Sequence, residues 1–155
     1  MSIAPPGVRV GPRAAEDVEA ARALVGEGRP LELLERALTG TPECLALAAT
    51  RQGRGRLAGV ALYGETAGAS GAGTLHWLGV PAPARRGGIA RALLAAVVDA
   101  LDARGMRLVV AELPFTREHE PVMALLRRSG FVREGAVPDF YRDGVALTLW
   151  VRRRD

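Results

Sequence analysis

The residues Val80-Pro81-Ala82-Pro83-Ala84-Arg85-Arg86-Gly87-Gly88-Ile89-Ala90-Arg91 hold the most informative chemistry in this chain. A helix starts here without Ser, Thr, Asp or Asn at its first positions, so its leading N–H groups have no side-chain cap. An anion satisfies such groups better than water does, because the helix dipole favours negative charge at that end. Gly87, Gly88 and Ala90 remove the side chains that would hold an anion off the backbone, and Arg85, Arg86 and Arg91 raise the local potential. The expectation is a pyrophosphate cradle; the glycines alone would fit a plain tight turn equally well. Two other cradles fail. The Walker pattern needs a lysine after its second glycine, and the chain contains no lysine. The dinucleotide fingerprint needs three glycines at its own spacing and an acid at the end of the next strand; Glu112 meets the second condition, but the glycine spacing fails the first.

Such a turn has to be held between a strand and a helix, and the flanking pattern supplies both. Residues 74–80 read as a strand, 88–104 as a helix with Ile89, Leu93, Val97 and Leu101 on one stripe, and 108–111 as a buried strand; Gly105 suits the helix cap. Upstream come a short strand at 8–10, a helix at 14–25 and a helix from Pro30 to Leu38 that Gly40 ends. Strands at 44–50 and 58–63 follow, joined by a hairpin-length connection at 52–56. Downstream are a Gly- and Ala-rich loop at 66–73, a helix at 121–128 and closing strands at 131–137 and 145–151. No repeat or second domain interrupts residues 1–155, so the pattern predicts one α+β (mixed α/β) domain on a central sheet.

The composition excludes several classes. No apolar run reaches the roughly 18–20 residues of a membrane span, and the most apolar helical stretch, 89–101, is broken by Arg91 and Asp99; no membrane partner is expected. The N-terminus has no basic flank before an apolar core, and the single Cys44 allows no intrachain disulfide, so a cytoplasmic protein is expected. Cys44 lies in an apolar run and reads as a small buried hydrophobe rather than a nucleophile. The net charge is +4 and every basic residue is arginine, which codon bias in a GC-rich genome would explain. The arginines are scattered and the few aromatic residues do not alternate with them, which argues against a nucleic-acid partner. The tail Arg152-Arg153-Arg154 reads as a solvated end, and no metal is expected.

Arg85-Arg86-Gly87-Gly88-Ile89-Ala90 resembles the Arg/Gln-x-x-Gly-x-Gly/Ala signature of the GNAT superfamily of acyl-CoA N-acyltransferases. Leu78-Gly79-Val80 before it, Leu93-Leu94 after it, Ser129-Gly130-Phe131 and the turn Pro138–Gly144 resemble that family too. The resemblance covers residues 8–151 in element order and is specific in 74–131. It implies a central, mostly antiparallel sheet splayed between strands four and five, with helices on both faces. It further implies that the backbone of Leu78, Gly79 and Val80 meets the pantetheine arm of acetyl-CoA, and that amides from Arg86 through Gly87, Gly88, Ile89 and Ala90 to Arg91 hold its pyrophosphate. Arg85 would add positive charge. The co-substrates would be acetyl-CoA and a primary amine of a small molecule or peptide.

An amine with a pKa of about 10 is mostly charged at neutral pH, so a base must take a proton before attack. Where many family members place a glutamate on strand four, this chain has His76, and an imidazole is a residue type suited to taking such a proton. Period-two alternation puts His76 on the face of Leu78 and Val80. Glu112, leaving strand five, is the second candidate. The family's acid, a tyrosine five positions before the Gly-Phe phenylalanine, is Leu126 here and cannot donate a proton; Tyr141 is the better placed of the two tyrosines. The family's asparagine at the head of that helix falls on His119, a cofactor contact by resemblance. The acceptor would lie between the first two helices, near Glu27, Glu32 and Glu35, and the turn at Tyr141. Leu126 also motivates an alternative, a non-catalytic acyl-CoA-binding module, and an exposed last strand would allow a homodimer.

Overall fold

The computed structural model describes residues 4–12, 17–51 and 57–155. Its elements run β1 (Val8–Gly11), α1 (Val18–Val25), α2 (Arg29–Thr39), β2 (Leu45–Arg51), β3 (Leu57–Glu65), β4 (Ala72–Gly79), α3 (Ile89–Ala103), β5 (Leu108–Pro114), α4 (Glu120–Arg128), β6 (Val132–Arg142) and β7 (Val145–Arg153). These strands form one sheet in the order β1-β2-β3-β4-β5-β7-β6. All neighbours are antiparallel except β4 and β5, which are parallel because α3 carries the chain back to the starting end of the sheet. The expected α+β architecture is therefore present.

Side-chain alternation along β3 divides the interior into two cores. Val60 and Leu62 face α1 and α2, where Ala21, Val25, Leu33 and Leu34 cover them. Ala61 and Tyr63 face the other way, toward Leu93, Val97 and Leu101 of α3 and Met123 and Leu126 of α4. The spacing of Ile89, Leu93, Leu94, Val97, Val98 and Leu101 makes one apolar stripe of α3, and all six are buried. Burying each such side chain contributes about 1.5–3 kcal/mol, so the second core anchors α3, and with it the turn that precedes α3.

Several boundaries move. Positions 14–16 of the first expected helix and the connection 52–56 lie outside the described residues. The strand expected at 74 begins at Ala72, which accepts a hydrogen bond from Thr66 N–H (2.8 Å) and pairs with Leu108. β5 continues past Ala111 to Pro114, and β6 runs through to Arg142. The arginine tail does not lie beyond the last strand: β7 extends to Arg153, Arg152 pairs with Asp102 (3.7 Å) and Arg153 with Glu134 (2.7 Å), while the Arg153 and Arg154 side chains are exposed as expected. The last strand is not exposed as expected: β7 lies between β5 and β6 and is largely buried, and it is β6 that forms a sheet edge, exposed along almost its whole length. Its pairing with β7 jumps from Val137↔Leu147 to Arg142↔Val145, so residues 138–141 bulge outward. Asp139 holds that bulge by accepting from Gly144 N–H at 2.7 Å.

Candidate active site

β4 and β5 pair at four rungs, from Ala72↔Leu108 to Leu75↔Ala111, and then part. Beyond that point β4 stays with β3 through Trp77, Leu78 and Gly79, while β5 stays with β7 through Glu112, Leu113 and Pro114. Each strand thus turns unpaired backbone groups into a wedge-shaped gap. The cause is a bulge: Leu62 pairs with Trp77 but Tyr63 with Leu75, leaving His76 as the extra residue. A bulge bends its strand and increases its twist, which carries β4 away from β5.

The same bulge overturns the placing of His76. Alternation counted through residue 76 would put it beside Leu78, but an extra residue resets the count. Leu78 packs against the α3/α4 core, whereas His76 Nε2–H donates to the Glu43 carbonyl (2.9 Å) on the α1/α2 side. Because a carbonyl only accepts, that bond puts the proton on Nε2 and leaves Nδ1 as the basic nitrogen.

The turn after β4 has the features an anion site needs. Gly88 caps α3 with φ +80°, a conformation that favours glycine, and offers no side-chain cap. Helical bonding begins with Ala92 N–H donating to Gly88 C=O (3.1 Å); among the described residues no backbone acceptor meets the amides from Arg86 to Arg91. A Cβ on Gly87 would approach only the Ala84 carbonyl, at 3.6 Å, so the backbone there is open. Arg86 has φ +64°, turning the chain into the cradle, and Arg85 Nε–H donates to the Val80 carbonyl (3.1 Å), tying the turn to the strand end. Val80 and Ile89 pack on the α3/α4 core, which holds the two ends of the turn. From Arg91 a groove of about 250 Å³ runs along α3 to Asp99, with Arg128 and the Asp102-paired Arg152 on its other side. The turn fits a pyrophosphate-bearing cofactor: unpaired amides at a helix N-terminus, room for phosphate oxygens, and Arg85, Arg86 and Arg91 within the same segment.

Across the gap the structure brings two candidates together. Ala111 faces α3, so Glu112, one residue on, faces the α1/α2 side, where its carboxylate is exposed. Tyr141, in the 138–141 bulge, lies near enough for that carboxylate to act on it: burial first, and Glu112 second, hold its phenol above the ordinary range. Tyr63 is buried under α3. Leu126 is fully buried in the same core, so its position offers neither a proton nor access. His119 sits at the head of α4 with Nδ1 bonded to Thr116 Oγ1 (2.7 Å). Cys44 is buried, its Sγ–H donates to the Leu33 carbonyl (3.0 Å), and burial pushes its thiol up. Glu35 is engaged by Arg22 (2.7 Å), whose hydrogen bonds hold that carboxylate below its usual range; Glu27 and Glu32 do not share this pairing. Among the described residues no group of three or more His, Cys, Asp or Glu is arranged to hold a metal.

The sequence reading passed over Trp77. This half-buried residue faces α1 and α2, and its indole lies over Gly79 so closely that a Cβ there would come within 2.7 Å of Cζ2. The available signal was a bulky aromatic two residues before a glycine in one strand, a spacing that lets the ring lie along the backbone.

Comparison with known proteins agrees with this architecture. The Acetyltransferase (GNAT) family model matches residues 15–131. No curated protein matches the chain. Among solved structures, a GNAT-family acetyltransferase from Desulfovibrio desulfuricans is 27% identical, with TM-score 0.83 over 94% of this chain and 98% of that one. The ribosomal-protein-S18-alanine N-acetyltransferase of Escherichia coli is 18% identical, with TM-score 0.75 over 94% and 93%. A chain of the NatC complex bound to Gag peptide and CoA is 17% identical, with TM-score 0.79 over 96% and 99%. The uncapped helix, the strands parted beside it and the family match over residues 15–131 lead to one conclusion: the chain belongs to the GNAT family of acetyltransferases.

Proposed function

We propose that this chain is an N-acetyltransferase that moves the acetyl group of acetyl-CoA to the primary amine of a small molecule or peptide, within a ternary complex. The observation that carries this reading is the adjacency of two unsatisfied backbone surfaces, the uncapped N-terminus of α3 and the free edge of β4. One binds phosphate and the other an extended amide-bearing arm, and they meet at Val80. Bound acetyl-CoA supplies an activated acetyl thioester there. The CoA and peptide of the NatC complex and the alanine acceptor of the S18 enzyme support the same pairing of substrates.

In this reading Glu112 is the base. It lies at the mouth of the gap and takes a proton from the ammonium through water, freeing the nitrogen lone pair. The nitrogen then attacks the thioester carbonyl, forming the C–N bond, and the Val80 amide steadies the oxyanion. The C–S bond breaks as the electron pair leaves on sulfur, Tyr141 supplies the proton that makes the free thiol, and the second proton the nitrogen sheds on becoming an amide returns through water to the Tyr141 phenolate. A phenol held above its ordinary range stays protonated at neutral pH, as this role needs. His76, already bonded to Glu43, positions β4 at its bend. A cytoplasmic location, a single domain and a homodimer through the exposed β6 edge complete the proposal.

A thermal shift with acetyl-CoA followed by thiol release over an amine panel tests it. Stabilisation with turnover of at least one amine is expected; no stabilisation at millimolar acetyl-CoA would refute it. Full burial of Leu126 where a proton donor would stand favours a second reading, a non-catalytic acyl-CoA-binding module. Stabilisation without thiol release on any amine would point that way.

A further inference from the structure

The two tryptophans of the chain are used differently. Trp150 is 2% exposed, and its N–H donates to Thr148 Oγ1 (2.9 Å) inside the α3/α4 core. Trp77 is half-buried, and among the described residues its N–H has no hydrogen-bond partner. Its ring is laid along β4 over Gly79, beyond the last rung that β4 shares with β5. Any side chain at residue 79 would push the indole off this seat.

We propose that Trp77 is the wall of the acceptor site that receives the carbon skeleton of the amine. The acceptor class is then primary amines with a compact apolar or aromatic group close to the amino-bearing carbon. This inference rests on the acetyltransfer reading above. Two observations carry it. Trp77 and Glu112 lie on the same face of the sheet, on opposite sides of the gap, Glu112 one residue past the last shared rung and Trp77 two. The far wall is aromatic as well: Phe140 and Tyr141 meet edge to face at 5.0 Å and are 57% and 43% exposed. One carboxylate between apolar rings suits one ammonium on an apolar body.

The test measures thiol release from acetyl-CoA with 2-phenylethylamine, isobutylamine, methylamine and spermidine. The wild type should show a KM for 2-phenylethylamine about tenfold or more below that for methylamine or spermidine. Trp77→Ala should raise that KM by about tenfold and erase the preference, while Trp77→Phe keeps most of it. Retained thermal stabilisation by acetyl-CoA shows that a variant is folded; if Trp77→Ala is not, Trp77→Phe and the next measurement decide.

Acrylamide quenching reads Trp77 without turnover, since Trp150 is enclosed. With CoA present, 2-phenylethylamine should shield Trp77 and spermidine should not. Equal KM values across the four amines, or unchanged quenching with each of them, overturns the proposal. Turnover without shielding sinks this inference alone. Shielding without turnover sinks the transfer reading and leaves Trp77 lining an amine site.

Discussion

Replacing Gly88 by glutamate probes the cradle most directly, because two separable effects follow from its geometry. The first acts on the fold. Gly88 has φ +80°, where an L-residue costs about 1–2 kcal/mol. For a chain of this length that lowers Tm by roughly 2–8 °C. The new Cβ also meets Pro5 Cγ at 3.3 Å, so the N-terminal segment must yield slightly. The second effect acts only on the ligand. A carboxylate about 5 Å from a phosphate charge, at an effective dielectric of about 20, is repelled by about 3 kcal/mol, or roughly 100–200-fold in affinity. Gly88→Gln shares the backbone strain without the charge, so the ratio of the two Kd values isolates the electrostatic part. Titration calorimetry with CoA on wild type, Gly88→Gln and Gly88→Glu gives that ratio, which should shrink as salt is raised. If the two variants bind CoA within about threefold of one another at low salt, no phosphate lies at this turn and the reasoning fails.

Other expectations follow from particular contacts. Tyr141→Phe should lower kcat by about 100-fold or more and remove the fall in rate at alkaline pH. Glu112→Gln should move that fall to lower pH, because the carboxylate helps to hold the phenol protonated; an unaltered alkaline limb in both variants would dismiss Tyr141 as the acid. Leu93→Ala, at a fully buried contact between α3 and the sheet, should cost about 2–5 kcal/mol by urea denaturation, and a loss below about 1 kcal/mol would mean that α3 is not seated as described. Arg91→Ala should weaken CoA binding by a few fold and flatten its salt dependence; an unchanged salt slope would place this guanidinium away from the phosphates.

Much of this site is legible in the sequence because its signals are local. A missing cap, two adjacent glycines and an apolar stripe from Ile89 to Leu101 locate the uncapped turn before α3 without knowledge of any distant contact. The order of strands and helices is readable for the same reason. What escapes is whatever depends on pairing. Nothing within residues 74–80 says that position 76 is supernumerary, since that emerges only when Tyr63 pairs with Leu75 and Leu62 with Trp77. The error therefore spreads from one residue to the face assigned to His76, and it hides Trp77. The neighbouring positions of Glu112 and Tyr141 are likewise invisible, because β7 lies between their strands. The ends of β6 and β7 were set by ladder bonds and ion pairs rather than by apolar alternation.

The extra residue in β4 leaves the inward and outward order of its neighbours intact: Leu75 and Leu78 face α3, and Trp77 faces the opposite helices. A chain lacking His76 would keep each of those burial preferences and regain a regular strand, free to zip onto Glu112, Leu113 and Pro114. Such a protein would be stiffer and harder to unfold, and it would have no mouth. A single inserted backbone unit, ahead of any reactive side chain, separates an open cleft from a sealed sheet.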